Sequence, residues 1–206
     1  MKLSQTLQNL LEEHGGEPLR IGNILEQTGE QGFGILCGLL IIPMLIPVPI
    51  PLAGLSTILS LIPFLLGLQL LLGYQKPTLP KRLMDIALSP KVSSIMLSGL
   101  SRALSPLEHL AQPRMKRISQ KRTFQRLAGF CMAWNALLMG LPLPIPFTNL
   151  VPAYAILALI IGILELDGLF ILLGYALTTA TTVFFATLAG AIWLLVLKVL
   201  NVLGVG

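Results

Sequence analysis

The chain has 206 residues, 54% of them hydrophobic and only 11% charged, with a mean hydropathy of +0.83 and a formal net charge of +5. Soluble domains carry about 25% charged residues, so a water-soluble globular protein is excluded and an all-α integral membrane protein is predicted. Three runs hold no charged side chain: Phe33–Tyr74, Leu127–Leu164 and Gly168–Leu197. Runs of this length read as membrane segments.

Residues 1–31 form a net acidic N-terminal segment, with Lys2 and Arg20 against Glu12, Glu13, Glu17, Glu26 and Glu30. No basic start leads into an apolar core, so no signal peptide is expected. Leu3, Leu7, Leu10 and Leu11 make an apolar stripe, which predicts an amphipathic interfacial helix.

Residues 32–75 form the first membrane segment, and "IPVPIPLAG" at 46–54 interrupts it. Pro47, Pro49 and Pro51 each lack an N–H, and each pushes the preceding residue out of the α region. The freed carbonyls are costly in lipid and are tolerated only inside protein or beside water. At the helical rise, residues 33–46 reach about 21 Å, short of a hydrocarbon core of about 30 Å, whereas 52–74 reach about 34 Å. A proline-tipped re-entrant hairpin combined with a transmembrane helix fits these lengths. Gln69, inside the longer arm, is a candidate donor to the freed carbonyls or faces the partner repeat.

Residues 76–126 hold eleven of the fourteen basic residues and two acids, Asp85 and Glu108. Such a loop beside membrane spans is expected in the cytoplasm, touching anionic headgroups. "SPKVSSIML" and "SPLEHLAQP" each begin as a capped helix, predicting further interfacial helices. Glu108 completes a capping box with Ser105. Arg114, Lys116 and Arg117 follow as lipid or partner contacts. Nucleic acid is excluded as a partner, because Phe124 is the segment's sole aromatic residue and no recognition motif appears.

Residues 127–176 repeat the first membrane segment. From Pro47 to Pro142 is a shift of 95 residues, and the same shift carries Pro49 onto Pro144, Ile50 onto Ile145, Pro51 onto Pro146 and Gly67 onto Gly162. A hairpin plus one crossing gives each repeat an odd number of crossings. The two repeats are therefore expected to be inverted, as in many transporters, with the N-terminus outside. Asn149 follows the second motif as a candidate donor. Glu165 and Asp167 are an ion or proton site or, with Gly168, a solvated turn. Residues 177–206 complete a C-terminal membrane helix. The stretch 168–197, with Thr178, Thr179, Thr181 and Thr182 midway, rises about 45 Å and reads as one tilted helix or a bent pair.

Cys37 and Cys131 lie in apolar runs without metal-ligand spacing and read as small buried hydrophobes. His14 and His109 are isolated. No nucleophile–base pair or phosphate loop appears, so a non-enzyme without cofactor or metal is expected.

The segments "PVPIPLAGLSTILSLIPFLLGLQLLLGYQKPTLPKRL" (47–83), "LEHLAQPRM" (107–115) and "LPLPIPFTNLVPA…LELDGLFILLGY" (141–175) together resemble the bacterial exopolysaccharide-synthesis ExoD family. Thr78 and Leu166 stand where that family commonly has tryptophan and arginine. The resemblance implies a multi-pass protein of the bacterial inner membrane tied to exopolysaccharide production, without supplying a mechanism. It draws attention to Pro47, Pro49, Pro51, Gln69, Glu108, Pro113, Arg114, Pro142, Pro144, Pro146, Asp167 and Gly168. Two roles follow. One is a transporter-like path between the hairpins, lined by the six motif prolines, Gln69, Asn149, Glu165 and Asp167. The other is a non-catalytic accessory or regulatory subunit of a polysaccharide assembly machine. A homodimer is expected in either case.

Overall fold

The computed structural model describes residues 19–23, 32–45, 53–74, 76–85, 87–91, 93–95, 97–99, 101–102, 121–141 and 148–202. Five long helices carry the architecture: α1 (Gly32–Leu45), α2 (Ala53–Leu72), α3 (Arg122–Met139), α4 (Leu150–Leu164) and α5 (Gly168–Val202). Both motif-proline sets, together with Glu108, Arg114, Lys116 and Arg117, lie outside the described residues. Among the described residues the fold is all-α apart from one antiparallel pairing of two-residue strands, β1 (Leu19–Arg20) and β2 (Ala87–Leu88), with Leu19 opposite Leu88.

Burial sorts the helices. Every residue from Gly32 to Ile41 of α1 is buried, as are Pro152, Ala153 and Ala155–Gly162 of α4. A helix that is apolar all round is a central helix, and these two fill that role. The helices α2, α3 and α5 each keep exposed faces, with Leu61, Phe130 and Leu173 among the outward side chains. Contacts close a ring: α1 touches α2 and α4, and α3 also touches α2 and α4. The fifth helix packs along α4 and against α3.

Glycines set the closest approaches. A Cβ on Gly67 would lie 2.6 Å from the Ala133 backbone N, and one on Gly129 would lie 2.5 Å from the Leu71 N. The backbones of α2 and α3 are therefore in contact, which no larger residue permits at these two positions. Pro63 inside α2 deprives the Leu59 carbonyl of its helical donor.

These contacts fix helix direction. Along the α2–α3 interface, Thr57 meets Gly140, Gly67 meets Gly129 and Ala133, and Gly73 meets Arg126, so the two helices are antiparallel. In α4 and α5, Gly162 meets Ile171 and Gly174 meets Leu159, again antiparallel. Between α3 and α5, Phe124 pairs with Tyr175, Asn135 with Thr178 and Trp134 with Thr182, so these two run parallel. It follows that α2 and α4, the equivalent helices of the two repeats, run the same way.

The inverted arrangement expected from the repeat is thereby corrected: the halves are oriented alike. The reason lies in the first arms. Gly34 of α1 packs on Leu164, at the end of α4, so α1 starts where α2 and α4 finish. Each half goes out and comes back, an even number of traverses. Strand β1 pairs with β2 in the basic middle segment, and Gly22 packs on Met84, so both segments share one end of the bundle.

The C-terminal stretch is settled as one helix. Its 35 residues rise about 52 Å, against about 30 Å for the 20 of α2 and about 27 Å for the 18 of α3. Among the described residues it is the one helix long and apolar enough to cross a membrane.

Candidate functional site

The sequence candidates fall at opposite ends of the bundle. At one end lie the helix termini that flank the proline motifs. There Thr57 Oγ1 donates to the Gly140 carbonyl at 2.8 Å, tying the N-terminal part of α2 to the C-cap of α3. Thr148 is buried, and Asn149 stands at the N-cap position of α4, partly buried, without a side-chain cap bond.

Gln69, Glu165 and Asp167 are at the other end. The Gln69 amide is engaged by one residue: Nε2 donates to the Thr78 carbonyl at 2.5 Å, and Oε1 accepts from the Thr78 N–H at 2.8 Å. This clamp straps the chain after α2 to the helix it has just left. Asp167 is fully buried, and its Oδ1 accepts from the Leu169 N–H at 2.9 Å. A carboxylate accepting from the second residue of a helix is an N-cap, also favoured by the helix dipole. Asp167 therefore starts α5. Glu165 closes α4, its N–H bonded to the Ile161 carbonyl at 2.9 Å. Between the two acids, Leu166 sits in the left-handed region at φ 53°, a conformation costing roughly 1–2 kcal/mol for a side chain with a Cβ. The acidic pair is a tight α4–α5 turn, and its buried member is not a solvated group.

A third set of polar side chains lies between these ends, and the sequence reading did not single out its central member. Asn135 is fully buried on α3. Its Nδ2 donates to the Cys131 carbonyl at 2.7 Å and to Thr178 Oγ1 at 2.8 Å. Thr178 in turn donates to the Gly174 carbonyl at 2.7 Å. One turn on, Trp134 Nε1 donates to Thr182 Oγ1 at 2.9 Å. Near the start of both helices, the Tyr175 hydroxyl donates to the Phe124 carbonyl at 2.8 Å. Tyr175, Thr178 and Thr182 thus form one polar stripe on α5, matched by α3. The carbonyl of Asn135 has no donor, which costs about 1–3 kcal/mol in a buried place. The available signal was an amide in the middle of the apolar stretch that precedes the second proline motif.

Two apolar cavities flank α5. One, of about 320 Å³, is bounded by Trp134, Leu138 and Leu141 of the α3 end and by Phe185, Ala189 and Ile192 of α5. The other, of about 300 Å³, lies between Tyr154 and Ile161 of α4 and Phe170 and Leu177 of α5. Among the described residues no three His, Cys, Asp or Glu side chains group as metal ligands.

The family model for "Exopolysaccharide synthesis, ExoD" matches residues 3–187. The chain belongs to the ExoD family. It is 35% identical over 190 residues to Protein ExoD of Rhizobium meliloti, covering 92% of this chain and 78% of that protein. It is also 31% identical over 194 residues to an uncharacterized protein of Synechocystis sp., covering 89% of each chain. No solved structure matches. Membership in the ExoD family points to involvement in exopolysaccharide synthesis. The match ends two residues after Phe185, the last buried residue of α5.

Proposed function

We propose that this ExoD-family chain is a multi-pass inner-membrane protein that serves exopolysaccharide assembly as a non-catalytic accessory subunit. The observation carrying this reading is the backbone contact of α2 and α3 at Gly67, Gly129 and Ala133, which leaves no room between these helices. Gln69 and Asp167, two path candidates among the described residues, are occupied with holding the chain's own backbone. A scaffold packed in this way suits holding other membrane components better than conducting a solute. The test is affinity capture from cells making exopolysaccharide, with yield measured beside it. Recovery of membrane glycosyltransferases or polymer exporters with the wild-type chain supports the reading. Unimpaired yield in a deletion strain, with nothing recovered, overturns it.

A second reading, permeation, is favoured by one arrangement: the helix ends flanking both proline motifs share one end of the bundle, and same-way repeats also occur among transporters. It predicts ion or lipid-linked sugar flux in proteoliposomes, and flux equal to that of protein-free vesicles removes it.

A further inference from the structure

The charges of the bundle gather at one end. Lys76 and Lys81 follow α2, while Lys121, Arg122 and Arg126 lead into α3. Antiparallel packing brings the two groups together, because a Cβ on Gly73 would lie 3.0 Å from Arg126 Nη2. All five side chains are exposed, and none has an ion pair among the described residues. Among the described residues, the acids at this end are the exposed Asp85, the half-buried Glu165 and the buried Asp167, which caps α5.

The opposite end is different in kind. The ends of α2, α3 and α4 that reach it carry no charge, and α5 runs past them with Lys198 as its one charged residue. No residue of α5 beyond Phe185 is buried. From there to Val202 the helix extends about 25 Å further. Trp193, Leu194 and Leu195 on it are each more than 60% exposed. Water is an unfavourable surrounding for such a rod.

From these two poles we infer that the basic end is a docking surface for the anionic phospholipid headgroups of the cytoplasmic leaflet, with α5 running from that side to the opposite face. The charge is complementary to that leaflet, and cations beside a span hold their side in the cytoplasm. The pairing of β1 with β2 places residues 19–20 on the same side as the cations. The end of α5 is then on the far side, as are the helix ends that flank the proline motifs. This deepens the membrane reading above and rests on it. Capture and yield test that reading, whereas the side from which a residue is labelled tests this one.

The experiment uses the full chain in cells, with Ser89→Cys or Asn201→Cys labelled by a membrane-impermeant maleimide; the natural Cys37 and Cys131 are buried. Ser89→Cys is expected to label at least tenfold more in inverted membrane vesicles than in spheroplasts, and Asn201→Cys to show the reverse. Labelling of both from one side overturns the inference. Wild-type protein purified in mild detergent is also expected to retain phosphatidylglycerol several-fold over its share of the bulk membrane. Changing the five cations to Gln is expected to abolish that enrichment. Absence of enrichment in the wild type, or its survival in a folded five-Gln variant, overturns the headgroup assignment.

Discussion

The two halves of the bundle are built on one plan and differ in what they pack against. The 95-residue shift that relates the proline motifs also carries Gly34 onto Gly129 and Gly73 onto Gly168. Gly129 meets α2 of the first half, and Gly34 meets α4 of the second, as an exchange of halves requires. Gly67 and Gly162 break the rule. Gly67 packs on α3, but its counterpart packs on Ile171 of α5. The added fifth helix has taken the second half's outer surface, and the polar stripe came with it. At the position equivalent to Asn135 the first half has Leu40, which is buried with it in the core. Repeat symmetry therefore explains the ring, while the fifth helix explains where polarity was inserted.

The largest test of this comparison uses the paired glycines. Gly129→Ala puts a methyl group against backbone atoms at 2.5 and 2.8 Å, which cannot yield without moving α2. A loss of roughly 3 kcal/mol is expected, read as a fall in the thermal midpoint in detergent. Gly34→Ala meets only the end of the Leu164 side chain, which can turn away, so about 1 kcal/mol or less is expected. Gly190, with nothing within 4 Å, sets the baseline, and Gly190→Ala is expected to be neutral or to stabilise by up to about 1 kcal/mol. Equal losses at 34 and 129 would mean that the halves pack alike after all.

Next in size is the junction that attaches the fifth helix. Asp167→Ala removes the N-cap of α5 and is expected to cost about 1–2 kcal/mol, with Asp167→Asn recovering most of it. In the same turn, Leu166→Asn is expected to stabilise by about 1 kcal/mol by relieving the left-handed strain. If Leu166→Asn destabilises instead, contacts of that side chain outweigh its backbone strain.

What the sequence disclosed follows the same division. Helix placement was legible, because charge-free runs bounded by prolines leave little freedom: residues 33–46 became Gly32–Leu45, and 147–164 became Leu150–Leu164. The repeat was legible from Pro47, Pro49 and Pro51 and their counterparts. Its sense was not, because direction depends on how many times each half traverses the bundle. That number turns on α1 packing beside α4, a contact between residues far apart in the chain. The roles of Gln69 and Asp167 were hidden for a related reason. A polar residue in an apolar run looks the same whether it serves a solute or, as here, a neighbouring backbone.

The smallest effect falls on the residue that most distinguishes the halves. Asn135→Leu makes the second half resemble the first at this position. It removes a hydrogen bond to Thr178 and, with it, a carbonyl that lacks a donor. Side-chain hydrogen bonds between membrane helices average about 0.6 kcal/mol, and the unsatisfied carbonyl offsets at least that much. Stability is therefore expected to stay within about 1 kcal/mol of wild type. The reciprocal Leu40→Asn has no α5 to bond and is expected to cost about 1–3 kcal/mol. Should exopolysaccharide yield fall in Asn135→Leu while its thermal midpoint holds, the amide is retained for function. Should yield and midpoint both hold, the amide serves only to fix the register of α5 on α3, and the search for a site shifts to the ends of the bundle.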